Sequence, residues 1–150
     1  MQARHSLEMG LRLLQADDCH NAISLLSIAI DLDPNLPETY GFRGVAHFTL
    51  GDYQEAMQDF NSALSLDPSL ETMFYFRGIL RLQLKHYQDA VNDLTAAIEL
   101  DIYFAEAYYH RGVSKGLLGD PKGAIYDIKF AAQLGMREAQ KILNENGIVW

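Results

Sequence analysis

The chain has few features that would cross-link it, carry it across a membrane or bind it to a polyanion. Its 150 residues include one cysteine, which excludes an internal disulfide. No apolar run approaches the roughly 18 residues of a membrane span. Lys and Arg number 12 against 20 Asp and Glu, which gives a formal net charge of −8 and disfavours a phosphate-binding surface. We expect no nucleic-acid and no membrane partner, and a cytoplasmic protein, because Arg4, His5 and Glu8 are unlike a signal-peptide core.

Small residues, in contrast, recur at a fixed interval of 34 along most of the chain. The interval links Gly10, Gly44, Gly78 and Gly112, then Ala22, Ala56, Ala90 and Ala124, and also Ala29, Ala63, Ala97 and Ala131. Such a period is typical of a solenoid, in which each repeat buries its apolar face against its neighbours. The predicted repeats 1 to 4 span about 3–36, 37–70, 71–104 and 105–138. With a capping helix and tail at about 136–150, they form one domain over 1–150.

Within a repeat, apolar residues are spaced as on two helices joined by a tight turn. For repeat 2 the pattern predicts helices at roughly 37–50 and 54–66, with the turn at Gly51-Asp52. The recurring glycines and alanines would let the two helices approach closely, because a larger side chain would hold their axes apart. Short acceptors precede the second helix of three repeats, where we expect them to cap free N–H groups: Asp18, Asp52 and Asp120.

Repeat 2 has aromatic residues at its fourth and twenty-fourth places, small residues at its eighth, twentieth and twenty-seventh places, and a proline at its thirty-second place. In chain order they are Tyr40, Gly44, Ala56, Phe60, Ala63 and Pro68. This set resembles the tetratricopeptide repeat, a helix–turn–helix unit of the same period, and the resemblance extends over nearly the whole chain. It implies an all-α fold, a right-handed α–α superhelix of four helix–turn–helix repeats and a capping helix. The chain departs from the family at Ile102 and Met136, which replace a terminal Pro. It also departs at the eleventh place, usually aromatic, where His47, Arg81 and Lys115 stand.

The residues after repeat 4 have the pattern of a short capping helix. Ala139, Ile142 and Leu143 form an apolar stripe that could cover the last repeat, while the opposite face is charged. Gly147 is placed to end this helix. We expect the apolar terminus 148–150 to fold back on the cap.

Charged residues also follow the repeat. Arg43, Arg77 and Arg111 take the seventh place of their repeats, and Asp59, Asp93 and Asp127 take the twenty-third. Repeat 1 has Met9 and Leu25 instead, so both members are lost together. We therefore predict ion pairs within repeats: Arg43–Asp59, Arg77–Asp93 and Arg111–Asp127.

Catalytic and metal-binding patterns are weak. The segment Asp17-Asp18-Cys19-His20 contains metal-ligand types, but adjacent ligands on a turn rarely converge on one ion. Cys19 takes the place of Tyr53 and is interpreted as a buried packing residue. No two histidines are three or four residues apart, as a helical metal pair requires. We predict no catalytic residue, no metal and no cofactor, and therefore a protein that is not an enzyme.

The resemblance implies an inner groove lined by the first helix of each repeat. The residues that it assigns to peptide binding are apolar or aromatic: Leu7, Leu11, Phe42, Val45, Phe48, Tyr75, Phe76, Ile79, Tyr109, His110 and Val113. An alternative is that they only pack between neighbouring first helices. Some family members grip acidic chaperone tails with a two-carboxylate clamp of Lys, Arg and Asn. The clamp places here hold Leu7, Leu11, Phe42, Thr72 and Phe76, or one repeat later Gly41, Val45, Phe76, Glu106 and His110, so a chaperone tail is not expected.

These features favour a protein-interaction module that binds a peptide or amphipathic helix of a partner protein. Because Glu38 and Glu106 lie at the implied groove and the net charge is negative, we expect apolar anchors with basic flanks in the ligand. Two alternatives remain. The apolar terminus or the uncovered first helix could form a homodimer, or the chain could be a scaffolding subunit of a larger complex.

Overall fold

The structure is a computed structural model that describes residues 2–150, which fold into nine α-helices with no β-strand in that range. The helices are α1 (Gln2–Gln15), α2 (Cys19–Leu32), α3 (Pro37–Leu50), α4 (Tyr53–Leu66), α5 (Glu71–Gln83), α6 (Tyr87–Leu100), α7 (Ala105–Leu117), α8 (Pro121–Gln133) and α9 (Arg137–Glu145). The chain divides into two compact units, Met1–Met73 and Phe74–Trp150, called here the N-terminal and C-terminal units.

The helix bounds follow the predicted repeats. In repeat 2 the helices Pro37–Leu50 and Tyr53–Leu66 agree with the prediction to within one residue. The other repeats contain the same pair of helices, and α9 follows them. The prediction of an all-α fold of four helix–turn–helix repeats and a capping helix is confirmed.

The turn inside every repeat has the same backbone conformation. Its fifteenth residue is left-handed in all four repeats, with φ of 61° at Asp17, 85° at Gly51, 63° at Lys85 and 84° at Gly119. The next amide bonds a carbonyl in the last turn of the first helix, for example Asp52 N to His47 O at 2.9 Å. This bond satisfies a carbonyl that has no partner inside the helix.

The predicted caps are right at two of three turns. Asp18 Oδ1 accepts from the N–H of Asn21 at 3.4 Å, and Asp120 Oδ1 accepts from that of Gly123 at 2.9 Å. Asp52 precedes α4 but makes no such bond, so the prediction is wrong there. Its carboxylate lies instead 3.3 Å from Nδ1 of His47, a neighbour that Asp18 and Asp120 lack.

The core of the N-terminal unit depends on the recurring small residues. A Cβ on Gly44 would lie 2.9 Å from the Phe60 ring, and one on Gly10 would lie 2.8 Å from Cγ of Leu26. Ala22 in α2 is completely buried, as are both of these large side chains. The predicted close approach of paired helices is confirmed.

In the C-terminal unit the same packing continues into the cap. Ala139 and Leu143 of α9 are buried in one cluster with residues of α6, α7 and α8. The tail folds back only in part. Ile148 packs against this cluster, and Nε1 of Trp150 donates to Asn144 Oδ1 at 3.0 Å, whereas Val149 remains 85% exposed.

Candidate functional site

The N-terminal unit brings three of the predicted binding residues together. Leu7 and Leu11 of α1 and Phe42 of α3 line one pocket of 240 Å³. The loop residue Leu36, which the sequence pattern did not indicate, is a fourth apolar residue of the lining. The other residues of the lining are charged: Arg4, Glu8 and Glu38. The pocket thus combines an apolar floor with a mixed, mainly acidic rim.

The remaining two predicted residues of this unit lie further along α3. Val45 and Phe48 are half-buried and do not line the pocket. The ring of Phe48 lies 6.0 Å from that of Tyr53, the first residue of α4. Part of the Phe48 surface is therefore used for packing within repeat 2.

In the C-terminal unit four of the predicted residues form a cluster of rings. Tyr75 lies at its centre, with ring centroids 5.4 Å from Phe76, 5.8 Å from His110 and 4.8 Å from Phe104. Tyr109 adds an edge contact with His110 at 5.1 Å. Every ring in the cluster is half-buried, so each retains some accessible surface. Phe104, which directly precedes α7, is a member that the sequence pattern did not indicate.

The other two predicted residues of this unit are less prominent. Ile79 packs against the buried core, as Tyr75 and Tyr109 also do. Val113 on α7 is half-buried. Part of the Ile79, Tyr75 and Tyr109 surfaces is therefore used for packing against the core of this unit.

The environment of the ring cluster acts on two titratable groups. Burial raises the pKa of Tyr75 above its usual range, and the nearby Glu106 raises it further. Burial lowers the pKa of His110, an effect that Glu106 opposes. Both groups are thereby favoured in their neutral forms, which suits a surface for apolar ligands.

The predicted ion pairs are confirmed. Arg43 donates to both oxygens of Asp59, from Nε at 2.9 Å and from Nη2 at 2.8 Å. Arg77–Asp93 and Arg111–Asp127 repeat the two-pronged geometry with distances of 2.7 to 2.9 Å. All three aspartates are buried: Asp59, Asp93 and Asp127. Charged groups so buried need such partners, which favours an architectural role over a catalytic one.

The sequence interpretation missed a second cation at two of these pairs. Arg81 Nη1 lies 2.8 Å from Asp93, and Lys115 Nζ lies 2.8 Å from Asp127. Both cations occupy the eleventh place of their repeats, where the family is usually aromatic. Their spacing of four residues from Arg77 and Arg111 puts them on the same helix face, and this was the signal that could have revealed them.

Cys19, which the sequence pattern indicates as a packing residue, is the first residue of α2. Cys19 is buried, and burial raises the pKa of its thiol above the usual range, with Asp17 adding to the effect. A raised pKa disfavours the reactive thiolate. Across residues 2–150, no three His, Cys, Asp or Glu side chains come together as a set of metal ligands. None of the helices in this range has the length and apolar character needed to cross a membrane.

The geometry therefore defines a class, the helical repeat proteins that present apolar surfaces on successive helix pairs. Residues 37–70 match the family model described as tetratricopeptide repeat, while no curated protein matches the chain. This match shows that residues 37–70 have the sequence of one tetratricopeptide repeat, and the other helix pairs of the chain share its helix–turn–helix form.

Solved structures show the same fold. "MamA 41-end from Desulfovibrio magneticus RS-1" is 27% identical with a TM-score of 0.81, over 89% of this chain and 76% of that chain. "First TPR of Spaghetti (RPAP3) bound to HSP90 peptide SRMEEVD" is 25% identical with a TM-score of 0.76, over 79% of this chain and 94% of that one. TTC0263, a thermophilic TPR protein of Thermus thermophilus, is 19% identical with a TM-score of 0.80, over 97% of this chain and 83% of that one.

Proposed function

We propose that the chain is a non-enzymatic interaction module that binds an apolar, basic-flanked peptide or amphipathic helix of a partner protein. The observation that carries the proposal is the pocket of the N-terminal unit, in which Leu7, Leu11 and Phe42 converge with Leu36. An amphipathic helix is recognised in this way, by apolar anchor residues that enter hydrophobic depressions.

The charges around the pocket favour a ligand with basic flanks. Glu8 and Glu38 outnumber Arg4 at the rim of the pocket, and the whole chain carries −8. Complementary charge speeds encounter and selects partners, while the buried apolar anchors supply most of the affinity. Affinity should therefore fall only modestly as salt is added.

The C-terminal unit offers a second apolar surface, the cluster of Tyr75, Phe76, Tyr109 and His110. Its rings are half-buried, and aromatic side chains such as Tyr and Phe are enriched at protein interfaces. Glu106 lies close enough to affect both Tyr75 and His110, so a basic flank is favoured here as well. We propose that this surface also contributes to binding.

The acidic HSP90 peptide SRMEEVD, bound by the RPAP3 domain, is a poor candidate for this chain. The family's clamp places in the pocket hold Leu7, Leu11 and Phe42 in place of cations and amides. A peptide carboxylate placed among these side chains would lose its water without gaining a charged partner.

Two fluorescent peptides test the proposal by polarisation. The first has Leu and Phe at positions i, i+3, i+4 and i+7 with Lys flanks, and the second is SRMEEVD. We expect the basic apolar peptide to bind the wild-type chain at least tenfold more tightly. Phe42→Glu should weaken it by roughly tenfold or more, because the new carboxylate enters the apolar floor.

The matched control is Gln54→Glu, which adds the same charge at an exposed position of α4. It should bind the basic apolar peptide as the wild type does, and circular dichroism should show an unchanged fold for both variants. Tighter binding of SRMEEVD, or a folded Phe42→Glu variant with wild-type affinity, would contradict the proposal.

A further inference from the structure

Repeats 2, 3 and 4 share a three-residue constellation on one face. The fourth residue of the repeat is aromatic, and the arginine at the seventh place lies over its ring while bonding the buried aspartate. The distances from guanidinium carbon to ring centroid are 5.9 Å for Arg43–Tyr40, 5.5 Å for Arg77–Phe74 and 5.4 Å for Arg111–Tyr108. Repeat 1 has lost all three members and carries Ser6, Met9 and Leu25 instead.

In repeat 2 this face is covered by a helix. The second helix of repeat 1, α2, packs against α3, and Ser27 Oγ accepts a hydrogen bond from Arg43 Nη1 at 3.1 Å. Pro34, which follows α2, lines one depression with Tyr40. The face that carries the constellation is therefore the one that meets the preceding repeat.

The same face of repeat 1 meets no preceding repeat within residues 2–150. It contains a pocket of 530 Å³ between α1 and α2, lined by Gln2, His5, Ser6 and Leu32. Ser6 stands where later repeats place an aromatic ring. Leu32 is 49% exposed, and Ile28 on the same helix is 47% exposed. The described lining holds neither a carboxylate nor a Lys or Arg, although the chain as a whole is strongly charged.

We propose that this face is a second binding surface, which takes a partner helix with an uncharged contact side and one aromatic residue inserted beside Ser6. Three observations carry it. The face continues the interface by which α2 already covers repeat 2. The pocket has the size of ordinary ligand sites, about 300–1,000 Å³. An aromatic ring is what the molecule itself places at this point in three other repeats.

The chemistry of the face supports this occupant. Replacing the ion pair by Met9 and Leu25 removes the groups that would have to be dehydrated when a helix docks. An aromatic side chain buries roughly 150–250 Å² and is the strongest single contributor that such a pocket can accept. The surface is separate from the pocket of Leu7, Leu11 and Phe42 and does not depend on the function proposed for it.

Two probes test the inference on the full chain. Indole, followed by amide chemical shifts, should perturb Ser6 and Leu32 selectively. A stapled alanine-rich helix with one tryptophan should bind at least tenfold more tightly than the same helix with alanine in its place. Ser6→Tyr fills the pocket from within, so it should weaken both probes at least fivefold and raise the melting temperature.

Ser24→Tyr is the matched control, since Ser24 is exposed on α2 outside the pocket lining and the added ring is the same. It should leave both probes unaffected, as should Phe42→Glu, which separates this surface from the peptide pocket. Indole shifts that persist in Ser6→Tyr, or equal binding of the two helices, would overturn the inference. Self-association of the wild-type chain that Ser6→Tyr abolishes would also overturn it, because a second copy would then be the occupant.

Discussion

Removing the charge of Asp127 tests whether the buried ion pairs behave as the structure implies. Asp127 is completely buried, each of its oxygens accepts one hydrogen bond from Arg111 at 2.8 Å, and its Oδ2 also lies 2.8 Å from Lys115 Nζ. Asp127→Asn keeps the shape but leaves two cations without a counter-charge. Breaking a buried pair typically costs about 3–5 kcal/mol. Because the Arg111 and Lys115 side chains keep 13% and 24% exposure, water offsets part of this, and we expect a loss of about 3 kcal/mol.

Repeat 1 supplies the comparison. At the three corresponding places it has Met9, Leu13 and Leu25, an apolar set in place of the charged one. The triple variant Arg111→Met/Lys115→Leu/Asp127→Leu transfers this set to repeat 4. It should lie within about 1 kcal/mol of the wild type, since an apolar replacement of a whole buried pair is often neutral or stabilising.

Urea unfolding followed by circular dichroism and tyrosine fluorescence measures both variants. Coincident transitions with an unchanged slope would license the comparison of free energies of unfolding. Glu99→Gln, an exposed carboxylate on α6, is the control and should stay within about 0.5 kcal/mol of the wild type. A loss below about 1 kcal/mol for Asp127→Asn, or a triple variant at least as unstable as that single one, would refute the reasoning.

Three further predictions concern packing, a buried hydroxyl and pH. Gly44→Ala should lower the free energy of unfolding by about 1–3 kcal/mol, because its Cβ would lie 2.9 Å from a fully buried ring. Gly116→Ala, whose Cβ would lie 3.6 Å from its nearest neighbour, should raise the free energy of unfolding by roughly 0.5–1 kcal/mol. Changes of the same sign for the two variants in urea titrations would contradict this. Thr39→Val should stabilise by about 1 kcal/mol in thermal unfolding, since Thr39 Oγ1 is buried with no hydrogen-bond partner among residues 2–150, and a lowered melting temperature would argue against it. Because burial lowers the pKa of His110 below 6.5, the unfolded chain binds this proton at a higher pH than the folded chain does. The free energy of unfolding should therefore fall as the pH drops below about 6.5 and show no such loss above it. In a pH series, His110→Gln should flatten this slope, and an unchanged slope would contradict the prediction.

The fold was largely predictable because its packing depends on residues that have few substitutes. Glycine is favoured at Gly44 because a Cβ there would lie 2.9 Å from the Phe60 ring, and the recurrence of such glycines made the interval of 34 directly visible. The ion pairs were predictable for the same reason, since loss of both members in repeat 1 showed that they act together. The helix bounds of repeat 2 followed from these positions and the turn between them.

Other features depend on tertiary contacts that leave no local pattern. The left-handed residue of each turn is glycine in repeats 2 and 4 but Asp17 and Lys85 in the others, so no shared residue type marked it. Phe104 and Leu36 precede a helix and look like ordinary loop residues, yet each completes an apolar surface. Asp52 takes the same place in its repeat as Asp18, but the imidazole of His47 gives its carboxylate a different neighbour.

The internal pairing of cations also changes the charge that an approaching molecule meets at close range. Five of the twelve Lys and Arg contact the three buried aspartates: Arg43, Arg77, Arg81, Arg111 and Lys115. Taking these five positive and three negative charges out of the formal total of −8 leaves −10 for the rest of the chain. Because screening at physiological salt limits the reach of a charge to about 8 Å, a ligand at the surface responds to the carboxylates near it and much less to the sum. A basic peptide close to the surface therefore meets mostly carboxylates, because seven Lys and Arg remain beside seventeen Asp and Glu once the five paired cations and three buried aspartates are set apart.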